Sequence, residues 1–383
     1  MMKRRMLLLA CFAMVMAACT AAAPDTTGGA TDTTAAGGTA TTAAGGTATT
    51  AAAAPAGETL AAVQERGTLI CGVNDAVPGF GFVDADGNFA GFDIDFCRAV
   101  AAAVLGDPEA VEFRPLTTEQ RFTALQSGEV DVLIRNTTRT AGRDGELTST
   151  FLTTTFYDGQ GMMVRADSGF ESIDDMTDTA ICTLSGTTTE GNLADRMGDI
   201  PYEPITFEEN EQIQAAFIAG QCDGWTSDRS QLAGVRSTFP DEEGGPESLV
   251  IFDEIFSKEP LGPVVRDGDS QWSQVVDWVV LTTIQAEEFG IDSTNVATFD
   301  DSDDPNIRRF LGLEIEDPET GELVVFDPGL GLEPGWQATV IEEVGNYSEI
   351  YERNVGLESP LGLEREFNAL WTDGGLLYAP PYR

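Results

Sequence analysis

The side chains that most enzymes use for acid–base and nucleophilic chemistry are scarce in this sequence. It contains no histidine, which excludes Ser-His-Asp and Cys-His catalytic arrangements and any histidine-ligated metal site. Its only lysines are Lys3 and Lys258, so Schiff-base chemistry has almost no candidate. Residues 84–88, DADGN, are similar to a calcium loop, but Gly87 is misplaced for an EF-hand, and a hairpin turn is the better prediction. No metal ion and no cofactor is expected.

The charge balance narrows the possible partners. The 383 residues include 21 Lys and Arg against 64 Asp and Glu, a formal net charge of −43. Such a field repels phosphate groups, so neither nucleic acid nor an anionic membrane surface is an expected partner. The length is typical of two domains.

The first eighteen residues have the pattern of a secretory signal peptide. A basic start at residues 3–5 precedes the uncharged apolar stretch 6–18, which is too short to span a bilayer. The stretch ends in Met16-Ala-Ala-Cys19, which is similar to the lipobox where a lipoprotein signal is cut and the cysteine is lipidated. We expect residues 1–18 to be removed and Cys19 to carry a lipid. The alternative is an ordinary signal cut before Cys19, which then stays a free thiol.

Residues 20–57 consist almost entirely of Thr, Ala, Gly and Pro, and residues 33–40 are repeated as 41–48. This composition cannot bury enough apolar surface to offset the entropy of ordering, which predicts disorder. We therefore expect residues 19–57 to be a lipidated tether that holds a folded body, beginning at residue 58, at the outer face of a membrane or in the periplasm. The lipid is the only expected membrane contact.

The folded region begins with alternating strand and helix patterns. In order, the predicted elements are strand 68–73, helix 93–105, strand 111–115, helix 119–126 and strand 130–134. The pattern then restarts with strand 179–184, a helix ending at Met197, helix 212–219 and strand 222–226. This alternation predicts parallel pairing and an α/β fold with two lobes.

Two apolar extended segments, residues 161–165 and 254–266, are predicted to connect the lobes. The chain would then return to the first lobe, where the helical stretch 272–289 and the acidic C-terminal region complete it. The expected division is 58–164 for the first part of lobe 1, 165–258 for lobe 2, and 259–383 for the return to lobe 1 with a C-terminal extension.

Several sequence strings, taken in order, resemble the type II periplasmic amino-acid-binding proteins, the family 3 solute receptors of ABC importers. The strings are GFDIDF at 91–96, the run at 122–132, SGTTTE at 185–190, and the segment 222–228. A narrower resemblance, to the general L-amino-acid-binding and glutamate/glutamine/aspartate/asparagine-binding group, rests on 135–138, 157–161, 257–263, 344–347, 353–356 and the ending 378–381. The resemblance implies two lobes, each a mostly parallel sheet flanked by helices, joined by a two-segment hinge.

The resemblance also implies how an amino-acid carboxylate would be held. Arg143 would be the carboxylate clamp with Thr138 beside it, since a guanidinium can bind a carboxylate in a bidentate manner. From the other lobe, Thr187, followed by Thr188, would contribute its N–H and hydroxyl at the start of a helix. A threonine before a helix is otherwise an N-cap.

The ammonium group would, on the same resemblance, meet a backbone acceptor at Asn136 and the carboxylate of Asp228. The alternative for a lone loop Arg or Asp is a solvated surface charge. The family lines its side-chain pocket after the first strand, which here supplies Asn74, Val77 and Phe80.

Three further arginines lie near the expected side-chain pocket, and any that faces inward favours acidic or amide ligands. These are Arg121, Arg135 and Arg139. Strand alternation would put Arg135 and Arg139 on the face opposite Asn136 and Thr138. A position at the surface or in contact with the permease is therefore at least as good an interpretation for these two arginines as a position in the pocket.

The cysteine count suggests disulfides in an exported protein. Of six cysteines, Cys11 is expected to be lost with the signal peptide and Cys19 to be lipidated. The remaining four cysteines can pair in three ways. A bridge between lobes would hinder closure, so the pairs Cys71–Cys97 and Cys182–Cys222 are expected; four buried free thiols are the alternative.

The function expected from these observations is that of an extracytoplasmic receptor. It would close on a free L-amino acid and deliver it to the permease subunits of an ABC importer. A ligand-sensing subunit of a signalling receptor is one alternative. A dehydratase-type enzyme on the same fold is another, and without histidine its general acid or base would have to be a carboxylate.

Overall fold

The computed structural model describes residues 58–317 and 319–383. The expected signal peptide (1–18), Cys19 and the tether (19–57) lie outside these residues. None of the helices in the described ranges is long and apolar enough to cross a membrane.

The described helices alternate with strands along most of the chain. The strands are β1 (Leu69–Val73), β2 (Ala76–Val77), β3 (Gly81–Val83), β4 (Phe89–Ala90), β5 (Val111–Pro115), β6 (Val132–Leu133), β7 (Ser149–Phe151), β8 (Phe156–Asp158), β9 (Gln160–Arg165), β10 (Thr179–Leu184), β11 (Tyr202–Phe207), β12 (Gly224–Asp228), β13 (Leu249–Ile251), β14 (Glu259–Leu261), β15 (Val264–Arg266), β16 (Glu314–Glu316) and β17 (Leu323–Val325). The α-helices are α1 (Thr59–Arg66), α2 (Phe92–Leu105), α3 (Arg121–Ser127), α4 (Ala141–Glu146), α5 (Thr188–Met197), α6 (Asn210–Ile218), α7 (Arg229–Ser237), α8 (Ser270–Phe289), α9 (Pro305–Phe310), α10 (Trp336–Glu343) and α11 (Tyr347–Asn354).

Each lobe is built on a five-stranded sheet with the same pattern of directions. The first sheet has the order β5-β1-β6-β15-β7 and the second β11-β10-β12-β9-β13. β1 is parallel to β5 and β6, and β10 is parallel to β11 and β12. Only β15 in the first sheet and β9 in the second run against their neighbours. The expected α/β fold with two mostly parallel sheets is confirmed.

The two lobes are connected by a pair of antiparallel strands, β8 and β14, in which Asp158 lies opposite Glu259. The prediction that residues 161–165 connect the lobes is therefore wrong. That segment belongs to β9, which lies between β12 and β13 inside the second sheet. A buried strand and an interlobe connection are both apolar and extended, so the hydrophobic pattern cannot distinguish them. The predicted second connection, 254–266, does contain β14.

Helix α2 lies at the centre of the first lobe. It begins after Gly91, whose φ of 129° favours glycine, and it ends at Gly106. Nearly every residue of α2 is buried. The sheet covers one side, and α8, α10 and α11 from the C-terminal part of the chain cover the other. The return of the chain to the first lobe is thus what buries this helix.

The C-terminal segment also contacts the interlobe connection. The side chain of Asn368 accepts a hydrogen bond from the Tyr157 N–H at 2.7 Å and donates one to its carbonyl oxygen at 3.1 Å. This pairing holds the outer side of β8.

The four cysteines of the described region form the two expected pairs. Cys71 on β1 is paired with Cys97 on α2, with the Cα atoms 6.1 Å apart. Cys182 on β10 is paired with Cys222, just before β12, at 5.8 Å. Each disulfide therefore joins elements of a single lobe, and neither links the two lobes.

Candidate ligand-binding site

A small cavity of about 30 Å³ lies where the two sheets face each other. It brings together nine of the ten ligand-binding residues expected from the sequence. These nine are Asn74, Val77, Arg121, Asn136, Thr138, Arg143, Thr187, Thr188 and Asp228. Many of them follow the carboxyl ends of β1, β6, β10 and β12, the edge at which parallel α/β sheets bind ligands.

Phe80 is the expected site residue that does not line this cavity. Its ring is fully buried and packs edge-on against Phe92 at 5.8 Å and Phe156 at 5.2 Å between ring centroids. The placement expected from the sequence is therefore corrected: a ring of this size is held in the aromatic core of the first lobe beneath the pocket.

Arg143 is positioned by the start of α4. The N-cap residue Thr140 accepts a hydrogen bond from the Arg143 N–H at 3.1 Å, and Arg143 Nη1 donates to the Thr138 carbonyl oxygen at 2.9 Å. Burial lowers the pKa of the guanidinium, while the charges of Glu259 and Asp228 act to raise it. The remaining N–H groups of Arg143 are available to an anion in the cavity.

Asp228 ends β12 and stands at the N-cap position of α7, yet its side chain makes no capping hydrogen bond. It is only 6% exposed. Burial raises its pKa well above the usual range, and the nearby carboxylates Asp158 and Glu259 raise it further. A buried carboxylate in this position is stabilised by a cation, which a ligand ammonium group can supply.

Arg121, the first residue of α3, is 4% exposed. Its Nε is buried and has no hydrogen-bond partner among the described residues. Burial lowers the pKa of this guanidinium well below its usual value, and the charges of Arg135 and Arg143 act in the same direction. Three guanidinium groups thus share the wall of one cavity, which favours an anionic ligand.

Arg135 lines the cavity together with Asn136, contrary to the expectation from strand alternation. The alternation does not apply because β6 ends at Leu133 and Asn136 has a positive φ of 31°. Arg135 Nε donates to the Leu116 carbonyl oxygen at 2.7 Å. Arg139 instead pairs with Asp144 at the surface, with an N–O distance of 2.7 Å.

Asn136 links several parts of the site. Its N–H donates to the Asp93 carboxylate at 2.6 Å, and its side chain contacts Asn74 at 2.5 Å and Gln231 of the second lobe at 3.2 Å. Burial raises the pKa of Asp93 to about 7, although the Asn136 N–H and the charge of Arg135 act to lower it.

The hydroxyl of Thr187 is occupied within its own lobe. It donates to the Leu184 carbonyl oxygen at 2.7 Å and accepts from the Glu190 N–H at 3.2 Å, as an N-cap of α5 does. The expectation that this hydroxyl contacts a ligand is therefore corrected: the N-cap interpretation holds for the side chain, while Thr187 still lines the cavity.

Sequence reasoning missed six residues of the cavity wall and left the orientation of a seventh, Arg135, open. The six are Thr118, Leu184, Thr189, Asn210, Ser227 and Gln231. Leu184 and Ser227 lie at the ends of predicted strands, and that position was an available signal. Asn210 and Gln231 face the cavity from helices, and nothing in their local sequence indicates this. A group of three or more His, Cys, Asp or Glu side chains arranged to hold a metal ion is absent from residues 58–317 and 319–383.

Known proteins are similar to this chain over much of its length. The family described as bacterial extracellular solute-binding proteins, family 3, matches residues 69–290. The chain is 49% identical over 327 residues to the general L-amino acid-binding periplasmic protein AapJ of Rhizobium johnstonii, covering 85% of this chain and 93% of that protein. It is 46% identical over 331 residues to the glutamate/glutamine/aspartate/asparagine-binding protein BztA of Rhodobacter capsulatus, covering 86% and 94%.

Among solved structures, the chain is similar to an ABC transporter periplasmic binding protein from Brucella ovis with glutathione bound. The two are 45% identical with a TM-score of 0.79, and the match covers 85% of this chain and 99% of that chain.

Proposed function

The chain belongs to the bacterial extracellular solute-binding proteins of family 3, and on that premise we propose that it is the exported amino-acid receptor of an ABC importer. Its relatives are periplasmic amino-acid-binding proteins rather than enzymes. The receptor closes on a free L-amino acid and presents it to the permease subunits.

The observation that supports this most strongly is the opposition of charges across the cavity. Arg143 comes from the first lobe and Asp228 from the last strand residue of β12 in the second. A free amino acid carries a carboxylate and an ammonium on one carbon, so it can pair with both at once. Closure removes water from the cavity and strengthens both interactions, which makes the ligand favour the closed arrangement.

The side-chain end of the ligand is proposed to meet Arg121 and Arg135. Arg121 Nε lacks a partner within the described protein, and a buried N–H without an acceptor is costly. An acidic or amide side chain would supply that acceptor. Asn74 and Val77 would form the rest of this wall.

A γ-glutamyl peptide is a second candidate ligand, because glutathione also carries a free α-amino acid group. An adjoining cavity of about 130 Å³ shares Asn74, Thr118 and Arg135 with the first and extends past them. This extra space favours including glutathione beside the free amino acids in a binding test.

Calorimetry with a panel of L-amino acids tests the proposal. Arg143→Ala and Asp228→Ala should each weaken binding by roughly 2–5 kcal/mol, because each leaves one ligand charge buried without its partner. The double variant should lose less than the sum, since a ligand held by one lobe gains little from the other. Arg139→Ala is the matched control, because this guanidinium is paired with Asp144 at the surface. Single variants that bind within a few-fold of wild type would contradict the assignment of these anchors.

We further propose that Cys19 is lipidated and that residues 19–57 tether the receptor to the membrane. The support is the Met16-Ala-Ala-Cys19 string and the Thr, Ala and Gly composition that follows it. Cys19→Ser should release the receptor into the soluble fraction of exported protein. Wild-type protein that is already soluble, with an unmodified Cys19 by mass spectrometry, would refute the anchor.

A further inference from the structure

Glu259 is a buried carboxylate that touches the ligand cavity only through other side chains. It lies on β14, in the interlobe connection, and is 1% exposed. One oxygen, Oε2, accepts hydrogen bonds from the hydroxyls of Thr138 at 2.6 Å and Thr188 at 2.7 Å. The other oxygen, Oε1, accepts from Ser257 Oγ at 2.6 Å and Asn192 Nδ2 at 2.7 Å.

This arrangement fixes the direction of two hydroxyl protons. A carboxylate can only accept hydrogen bonds, and a hydroxyl has a single proton to donate. The hydroxyls of Thr138 and Thr188 both donate their hydrogen bond to Glu259, and both residues line the cavity. Toward the cavity, each hydroxyl therefore offers lone pairs and no proton.

Asp228 lines the same cavity of about 30 Å³ as these two threonines, so several acceptors lie together there. When it pairs with a ligand cation, the ionised carboxylate of Asp228 only accepts hydrogen bonds, and an ammonium group has three N–H donors. A ligand with a hydroxyl in place of the α-ammonium has only one proton to donate. Its oxygen lone pairs would face the lone pairs of the two threonine hydroxyls, which is unfavourable. Such a wall distinguishes a protonated amine from an uncharged substituent of similar size.

We propose that Glu259 is the positioning residue that makes this receptor selective for an α-ammonium group, an inference that rests on the proposed amino-acid-binding function. It acts through Thr138 and Thr188, whose hydroxyls it orients as acceptors. Because Thr138 follows β6 of the first sheet and Thr188 begins α5 beside the second, this orientation exists when the two lobes are closed.

The test compares two ligands that differ only at the α position, L-glutamate and (S)-2-hydroxyglutarate, by calorimetry. Glu259→Met removes the acceptor at similar length and frees both hydroxyls to turn their protons into the cavity. The ratio of affinities, amine over hydroxyl ligand, should fall by at least about tenfold. Glu259→Gln keeps one oxygen for the two threonines, while Ser257 and Asn192 can reorient toward its amide, so it should keep most of the ratio. Asn192→Ala, which removes one donor on the side away from the cavity, should leave the ratio unchanged.

The alternatives give different results. If Glu259 acts through its charge, the Gln and Met variants lose the ratio equally, and the proposal is wrong. If its role is only structural, both ligands weaken together and the ratio stays constant, which also overturns it. If the Met variant does not fold, Thr138→Val replaces it and should lower the ratio of affinities, amine over hydroxyl ligand. An equal loss of affinity for both ligands would contradict the proposal.

Failure of the proposed function itself has a separate signature. Wild-type protein that binds no amino acid in the calorimetric panel refutes that function and this inference together. If another amino acid binds instead of glutamate, the same comparison is made with that amino acid and its 2-hydroxy analogue.

Discussion

Protonation of Asp93 should make the ligand-free protein more stable as the pH falls from about 7 toward 4. The carboxyl group is buried in the first turn of α2, and burial raises its pKa from the ordinary 3.8 to about 7. Between these two values the folded protein holds a proton that the unfolded chain has released. The contribution of Asp93 to the free energy of unfolding therefore decreases as the pH rises, by about 1.4 kcal/mol per pH unit and on the order of 4 kcal/mol over the whole interval.

Asp93→Asn isolates this contribution. The asparagine oxygen can still accept the Asn136 N–H, which Asp93 accepts at 2.6 Å, but the side chain no longer titrates. Urea unfolding between pH 5 and 6.5 should show a slope of stability against pH that differs from wild type by about 1.4 kcal/mol per unit. Asp84→Asn is the control. Asp84 is exposed in a hairpin turn, where hydrogen bonds, chiefly from the Asn88 N–H, lower its pKa, so the wild-type slope should persist in this window.

Parallel slopes for Asp93→Asn and wild type, within about 0.3 kcal/mol per unit, would refute the reasoning. Asp93 would then be ionised in the folded protein across this range. Its contact with the Asn136 N–H and the charge of Arg135 would have to outweigh its burial.

Two further perturbations test the framework of the lobes. Replacing Cys182 and Cys222 with alanine should lower the free energy of unfolding by about 4 kcal/mol by the chain-entropy estimate, since the bridge spans 40 residues; a loss under 1 kcal/mol in urea titrations would show that it restricts the unfolded chain little. Gly91→Ala should cost several kcal/mol, because a Cβ there would lie 2.2 Å from the Phe80 carbonyl oxygen at a φ of 129°. Gly106→Ala, at a φ of 72° with open space around the Cβ, should cost about 1 kcal/mol, and equal losses at the two glycines would contradict the steric argument.

The hydrophobic patterns predicted β1, β5, β6, β10 and β12, half of the strands in the two sheets, and did not predict β7, β11 and β13. The bounds expected for β5 and β10 match the structure: β5 alternates apolar and charged residues, and β10 carries a mostly apolar run. The run at 161–165 was predicted as extended but assigned to the wrong place, since local sequence does not determine which neighbour a strand pairs with. The neighbours of β9, which are β12 and β13, lie more than fifty residues away in the sequence, so the local pattern does not identify them.

The site was predicted where the family resemblance covers it and missed at residues that only the fold brings to the cavity. Asp228 and Asn74 were predicted from the family resemblance, and in the structure each stands at or just after the end of a strand. The orientation of Arg135 could not be decided from strand alternation, because β6 is only two residues long and the chain then turns at Asn136. Glu259 lies in the string 257–263 that carries part of the resemblance, but no role was predicted for it, because its four donors are brought together only by the fold.

The strand order of the first sheet constrains the sequence of events during synthesis and export. All five strands of the second sheet lie between residues 160 and 251, whereas β15, which sits between β6 and β7, ends at Arg266. Helices α10 and α11, which cover α2, come still later. A chain that emerges from its N-terminus can therefore complete the second sheet first. At that point the first lobe still lacks the inner strand β15 and the helices α10 and α11, which pack on α2. Until these elements are added the apolar faces of α2 are exposed to other chains, and this is the interval in which aggregation competes with folding.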